Sequence, residues 1–221
     1  MLEQLYILPI LLFSVIIHEI AHGWMALRLG DPTARDLGRL TLNPIPHIDP
    51  IGSILIPLLS LAASGRVFIA WAKPVPINPL NFAHYRRGDM LVSIVGPVSN
   101  FILSFVCTVT VIFLVKITPF FHESNTYIRD GLTFLTKMFA GGITLNIILA
   151  VFNMIPIPPL DGSHVVASML PGTAALKFRR IGFAGIFVII LLMRWEPFSN
   201  LFYKLIGALA YPFQLLITTF V

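Results

Sequence analysis

An apolar run from Leu5 to Leu29 is long enough to span a membrane, and its interior is broken by His18, Glu19 and His22. Each ionisable group placed in hydrocarbon costs about 2.5 kcal/mol or more unless it is paired or hydrated. Three of them within five residues demand a purpose. Any fold for this chain must bury them against a partner inside the bilayer.

Composition places the whole chain in the same environment. Of its 221 residues, 57% are hydrophobic and 11% charged, against about half and a quarter in a soluble domain. That balance rules out a water-soluble protein, a disordered chain and a disulfide-stapled secreted domain. The net charge of +5 does not point to nucleic acid, because the Lys and Arg residues sit between apolar runs, where cytoplasmic loops collect positive charge. The single cysteine, Cys107, lies in an apolar run. It can form neither an internal disulfide nor a cysteine zinc site, and reads as a packed core residue.

The remaining runs suggest an all-α polytopic membrane protein of about five spans, within a range of four to six. Ile51–Ala63 is short and suits a re-entrant or tilted segment. Residues 65–88 mix β-formers with Pro74 and Pro76, which forbid helix and favour an extended edge strand or loop. Met90–Thr118 and Leu132–Ile155 are spans. The second ends in Asn153-Met-Ile-Pro-Ile-Pro-Pro-Leu-Asp161-Gly162, whose prolines must stop the helix and free backbone groups. Such irregular backbone is tolerated at membrane depth only beside protein or a wet cavity. Ile181–Met193 and Leu201–Val221 look like a helical hairpin. The Lys and Arg distribution puts the N-terminus outside, 28–89 inside, 119–131 outside and 156–180 inside. The chain is expected to form one transmembrane domain over 1–221, with a core at about 5–170 and the hairpin at about 178–221.

His18-Glu19-Ile20-Ala21-His22 carries the chemistry. On a helix the two imidazoles at i and i+4 share a face and can reach one metal. Glu19 projects about 100° away, beside a metal-bound water, as in the His-Glu-x-x-His arrangement of zinc hydrolases. Arg28 follows His22 by six residues, so the metal would lie about 9 Å below the cytoplasmic interface. A catalytic zinc ordinarily takes a third protein ligand. Most other acids lie in loops or at segment ends, whereas Asp161 follows the helix-breaking prolines at comparable depth. It is the candidate by elimination, with a helix N-cap as its alternative. His164 reads as a polar residue at the cavity mouth, or otherwise as a supporting partner or ligand. His47 reads as an interfacial loop histidine, with contact to the site as the alternative. Asn100, in Gly96-Pro97-Val98-Ser99-Asn100, reads as polar glue between helices. Asn153 caps an exposed helix end or holds a substrate backbone.

These motifs together, His-Glu-Ile-Ala-His, Gly-Pro-x-x-Asn and Asn-x-x-Pro-x-Pro-Pro-Leu-Asp-Gly in that order, resemble those of the site-2 protease family of intramembrane zinc metalloproteases. The resemblance covers about residues 5–170. It implies one Zn2+ held by His18, His22 and Asp161, with Glu19 as the catalytic acid and base. It implies that Asn153 helps hold substrate and that Asn100 lies close to the active site. It also implies a small β-rich membrane-associated element between the first helix and the next core helix, in parts of 35–80. The chain would be a minimal form without PDZ or CBS domains.

The expected reaction is hydrolysis of peptide bonds within or near transmembrane segments of membrane proteins, by zinc-activated water with Glu19 moving the proton. A strand edge in 66–80 would hold the unwound substrate by β-augmentation. The expected partners are a transmembrane protein substrate and the lipid bilayer, and no nucleic acid. The expected location is a prokaryotic plasma membrane, with the active site near the cytoplasmic side. The alternative is a non-proteolytic zinc-binding membrane protein that binds or sequesters membrane partners. A metal transporter would spread ionisable groups along several spans, whereas here they cluster at one level.

Overall fold

Among the described residues, four helices are long and apolar enough to cross a membrane. The computed structural model describes residues 6–56, 58–59, 72–121 and 125–221. Helix α1 (Ile7–Arg28) has 22 residues, about 33 Å at 1.5 Å per residue, against a hydrocarbon core of about 30 Å. Arg28 lies over the Trp24 ring at 4.2 Å, a pairing suited to a membrane interface. Helix α2 (Tyr85–Ile117) follows, then α3 (Thr126–Asn153), and each holds an apolar stretch long enough to span. Three short helices come next: α4 (Asp161–Met169), α5 (Gly172–Arg179) and α6 (Gly185–Arg194). The last helix, α7 (Glu196–Phe220), meets α6 through the single residue Trp195.

Helix α2 is the central element, in contact with α1, α3, α4 and α7. One apolar cluster joins Ile10 of α1, Cys107 and Val111 of α2, Ile143 and Ile147 of α3, and Phe202 and Ile206 of α7. The outward faces stay apolar: Leu8, Phe13, Ile102, Phe105 and Phe113 are all exposed. Such a surface is stable against lipid and not against water. Between helices, polar groups stitch the backbones together, as where Ser104 Oγ donates to the Ile143 carbonyl at 2.9 Å.

Helix α3 stops at Asn153, as its prolines require, and the chain reverses through residues 154–160. Asp161 is the first residue of α4, and its side chain makes no capping bond. A Cβ on Gly162 would fall 2.3 Å from the Met154 carbonyl oxygen. Only glycine lets α4 begin this close to the end of α3, and that closeness brings Asp161 inward.

The β-rich element has no strand among the described residues. Between α1 and α2 the chain forms one-turn helices at Thr33–Asp36, Ile45–His47 and Pro79–Asn81, with a π turn at Pro50–Leu55. Residues 72–78 form no regular element and have no ladder partner among the described residues, and Pro74, Pro76 and Pro79 hold the residues before them extended. Pro74 and Pro76 lack amide donors, which removes two of the bonds a ladder would need. The rest of that element falls on residues 60–71, outside the described residues, as do residues 57 and 60–63 of Ile51–Ala63.

Three buried polar groups suspend the extended segment. Lys73 N donates to His47 O at 2.8 Å, and Arg39 Nη2 donates to Lys73 O at 2.7 Å. Asp31, with no exposed surface, accepts from Asn78 N and Asn81 Nδ2, each at 2.7 Å, and from the Thr33 amide and hydroxyl. Burial works to raise the Asp31 pKa, but these bonds outweigh it and hold the carboxyl below its ordinary value. Its stabilisation is therefore full above about pH 4 and drains away as pH falls through the depressed pKa. Asp31→Ala removes the acceptor of four part-buried bonds. It should cost about 2 kcal/mol, read as a lower thermal midpoint in detergent at pH 7.

Candidate metal centre

His18 and His22 lie one turn apart on α1, both 7% exposed. Asp161 reaches them from α4. His18 Nε2 is 3.2 Å and His22 Nε2 3.4 Å from Asp161 Oδ2, and the two Nε2 atoms are 3.0 Å apart. These are the residues that form a potential metal-binding group among the described residues.

The other side of each imidazole fixes its tautomer. His22 Nδ1 sits 2.7 Å from the Val92 carbonyl oxygen, which can only accept. His18 Nδ1 sits 2.6 Å from Asn100 Oδ1, also an acceptor. Both Nδ1 atoms therefore carry hydrogen, and in the neutral form, which binds metal, each ring aims its Nε2 lone pair inward. There they meet a carboxylate oxygen that is buried without a hydrogen-bond partner. Two lone pairs and an anionic oxygen in van der Waals contact repel unless a cation lies among them. Ligand atoms on a tetrahedral zinc at about 2.0–2.1 Å are about 3.3–3.4 Å apart. The observed separations of 3.0–3.4 Å fit that donor set.

Gly96 makes this approach possible. A Cβ there would fall 2.4 Å from His22 Nε2 and 2.7 Å from His18 Cε1. The imidazoles lie directly against the backbone of α2. Pro97 leaves the Ser93 carbonyl without its helical donor, and in the same turn the Val92 carbonyl takes the His22 N–H. Asn100, one turn past Gly96 on the same face, is fully buried and also bonds Asn146 Oδ1 through Nδ2 at 2.9 Å.

Glu19 lines a cavity of about 360 Å³ together with His18, His22, Asn153, Asp161 and His164. Its Oε2 accepts from Val75 N at 2.7 Å, so the extended segment crosses the site and holds the carboxylate. Asn153 Nδ2 donates back to Leu149 O at 3.0 Å while the residue lines the cavity. His164 stands outside the three-residue group, its Nδ1 3.2 Å from Asp89 Oδ1. His47 is 1% exposed and away from the cavity, with Nε2 2.9 Å from Thr41 O.

The roles of four participants escaped the sequence reading. Asn146 carried a usable signal, since an amide inside a span needs a partner. Gly96 carried one in its four-residue spacing from Asn100. Asp89, counted among segment-end acids, is buried in an ion pair with Arg179 Nη2 at 2.6 Å. The Val75 amide had no sequence signal, because backbone donors are invisible in composition.

Gly96→Ala should keep the helical content and lower metal affinity at least about tenfold, the scale for disturbed ligand support. Metal content of the purified variant beside wild type checks it.

Comparison with known proteins bears on the family to which the chain belongs. The sequence profile described as peptidase family M50 matches residues 125–193, which include Asn153 and Asp161. A Bacillus subtilis (strain 168) protein named "Putative zinc metalloprotease YwhC" is 37% identical over 195 residues, covering 88% of this chain and 82% of that protein. A Mycolicibacterium smegmatis (strain ATCC 700084 / mc(2)155) protein, named in the same terms as Rip2, is 26% identical, covering 88% and 69%. No solved structure matches the chain. With its apolar helices and its zinc-type donor set, this integral membrane protein belongs to peptidase family M50, the site-2 protease family of zinc metalloproteases.

Proposed function

We propose that the chain is an intramembrane endopeptidase that cuts within or near transmembrane segments of membrane proteins. The observation that carries this reading is the convergence of His18 Nε2, His22 Nε2 and Asp161 Oδ2 beside Glu19, in a cavity between apolar helices. His18, His22 and Asp161 would hold the zinc. When bound, zinc supplies a polarised water and a Lewis acid for the peptide carbonyl.

Glu19 does the proton work. It takes a proton from the attacking water as the new C–O bond forms, and returns it to the departing amine as the C–N bond breaks. The Val75 amide holds Oε2 and leaves the second carboxylate oxygen for that proton. Asn153 lines the same cavity and is placed to bond an unpaired substrate backbone. A substrate helix satisfies its own carbonyls, so it must unwind before one can reach the site. The extended 72–78 segment offers the surface on which the unwound stretch lies. The cavity faces the cytoplasmic side under the charge distribution of the loops.

The site separates a protease from a metal-holding binder through Glu19, because a structural centre has no use for a base. Purified wild type should contain about one zinc per chain, and His22→Ala and Asp161→Ala should lose it. Glu19→Gln should keep zinc and lose about a thousandfold in cleavage of a membrane-embedded substrate in proteoliposomes. Wild-type cleavage by Glu19→Gln would defeat the proposal.

A further inference from the structure

We propose that Asn146 of α3 is a positioning residue that sets the tautomer of His18 through Asn100. This rests on the reading of His18 as a zinc ligand. Asn146 is fully buried, lies outside the cavity lining, and touches neither the cavity nor the metal-binding group.

The argument is one of hydrogen-bond direction. Asn146 Nδ2 donates to the Gly142 carbonyl at 2.9 Å. A carbonyl only accepts, so this bond fixes which end of the amide faces which way. Asn146 Oδ1 is then turned to Asn100, at 2.9 Å. An amide oxygen also only accepts, so Asn100 must present Nδ2 to it. That turns Asn100 Oδ1 to His18 Nδ1, at 2.6 Å, and requires hydrogen there. The Nε2 lone pair of His18 is left facing His22 and Asp161. Each step is forced by the one before, from a backbone carbonyl on the third helix to a ligand atom on the first.

Without Asn146 the chain of constraint breaks at Asn100. Among the described residues its Nδ2 would keep only the Ser14 carbonyl at 3.5 Å, a contact too long to fix orientation. The Asn100 amide could then turn over and present Nδ2 to His18. Facing a donor, His18 Nδ1 must give up its hydrogen, which moves to Nε2 and blocks the ligand position. His22 has no such dependence, since the Val92 carbonyl fixes it in one step.

The test uses the full chain purified in detergent. Zinc dissociation constants come from competition with a chromophoric chelator, and unfolding midpoints of the metal-free protein are measured alongside. Asn146→Leu should weaken zinc binding about tenfold, within the range for lost ligand support. Asn100→Leu should do at least as much, and the double variant should be no worse than Asn100→Leu alone. Asn146→Asp should stay within about threefold of wild type, because a carboxyl buried in a span stays neutral and can both accept and donate. If the leucine variant does not fold, Asn146→Ala carries the same comparison. The proposal is overturned if the Asn146 variant binds zinc within twofold of wild type, whatever its metal-free midpoint does; a midpoint that falls without loss of zinc affinity is a packing role alone. It is equally overturned if the two losses add. His18→Ala is the control on the underlying reading. If it retains wild-type zinc affinity, the ligand assignment fails; if it loses zinc while Asn146→Leu keeps it, only the positioning role fails.

Discussion

Three lone-pair-bearing atoms, His18 Nε2, His22 Nε2 and Asp161 Oδ2, are held within 3.0–3.4 Å of one another inside an apolar bundle. Left alone they would repel, and the protein keeps them together by fixing everything behind them. The Val92 carbonyl and the Asn100 amide oxygen hold the outer nitrogens of the imidazoles. Gly96 lets the rings lie against the backbone of α2, and Gly162 lets α4 start close enough to bring the carboxylate in. The central position of α2 follows from this. It must touch α1 and α4 at the site and still pack on α3 and α7.

The bundle divides its work between two kinds of contact. Ile10, Cys107, Val111, Ile143 and Phe202 belong to an apolar cluster that holds the helices by close packing. Around the site, the contacts are polar and directional. In lipid no hydrophobic force pulls helices together, because lipid tails are as apolar as the side chains. Packing and hydrogen bonds must supply the attraction, and hydrogen bonds also supply orientation. A polar layer beside a dry cluster therefore joins stability to aim.

The extended 72–78 segment brings the aqueous-side loops into the site. Its anchors, Asp31, Arg39 and His47, stand away from the cavity, yet they decide where Val75 lies. Because Val75 donates to Glu19, the placement of the general base proposed here depends on loop residues dozens of positions away. The two prolines beside Val75 leave its amide as the donor within the 74–76 stretch, which gives that bond its selectivity.

The sequence by itself determined much of this protein, because hydrocarbon punishes unpaired charge. The apolar runs required spanning helices, the i, i+4 histidines required a shared face, and the prolines after Asn153 required a break there. Elimination by depth singled out Asp161 before any contact was known. Tertiary structure decided what local spacing cannot encode. The Asn146–Asn100–His18 chain joins three helices, and the Val75 amide reaches Glu19 across 56 positions of sequence. Asp89 pairs with Arg179 across 90. Between α1 and α2 the described residues form turns and an unladdered segment, because prolines withhold amides and buried side chains take up the rest, while residues 66–71 of the expected strand edge lie outside them. Local pattern follows from each residue's own solvation and geometry, whereas the partner of a buried polar group depends on which distant element folds against it.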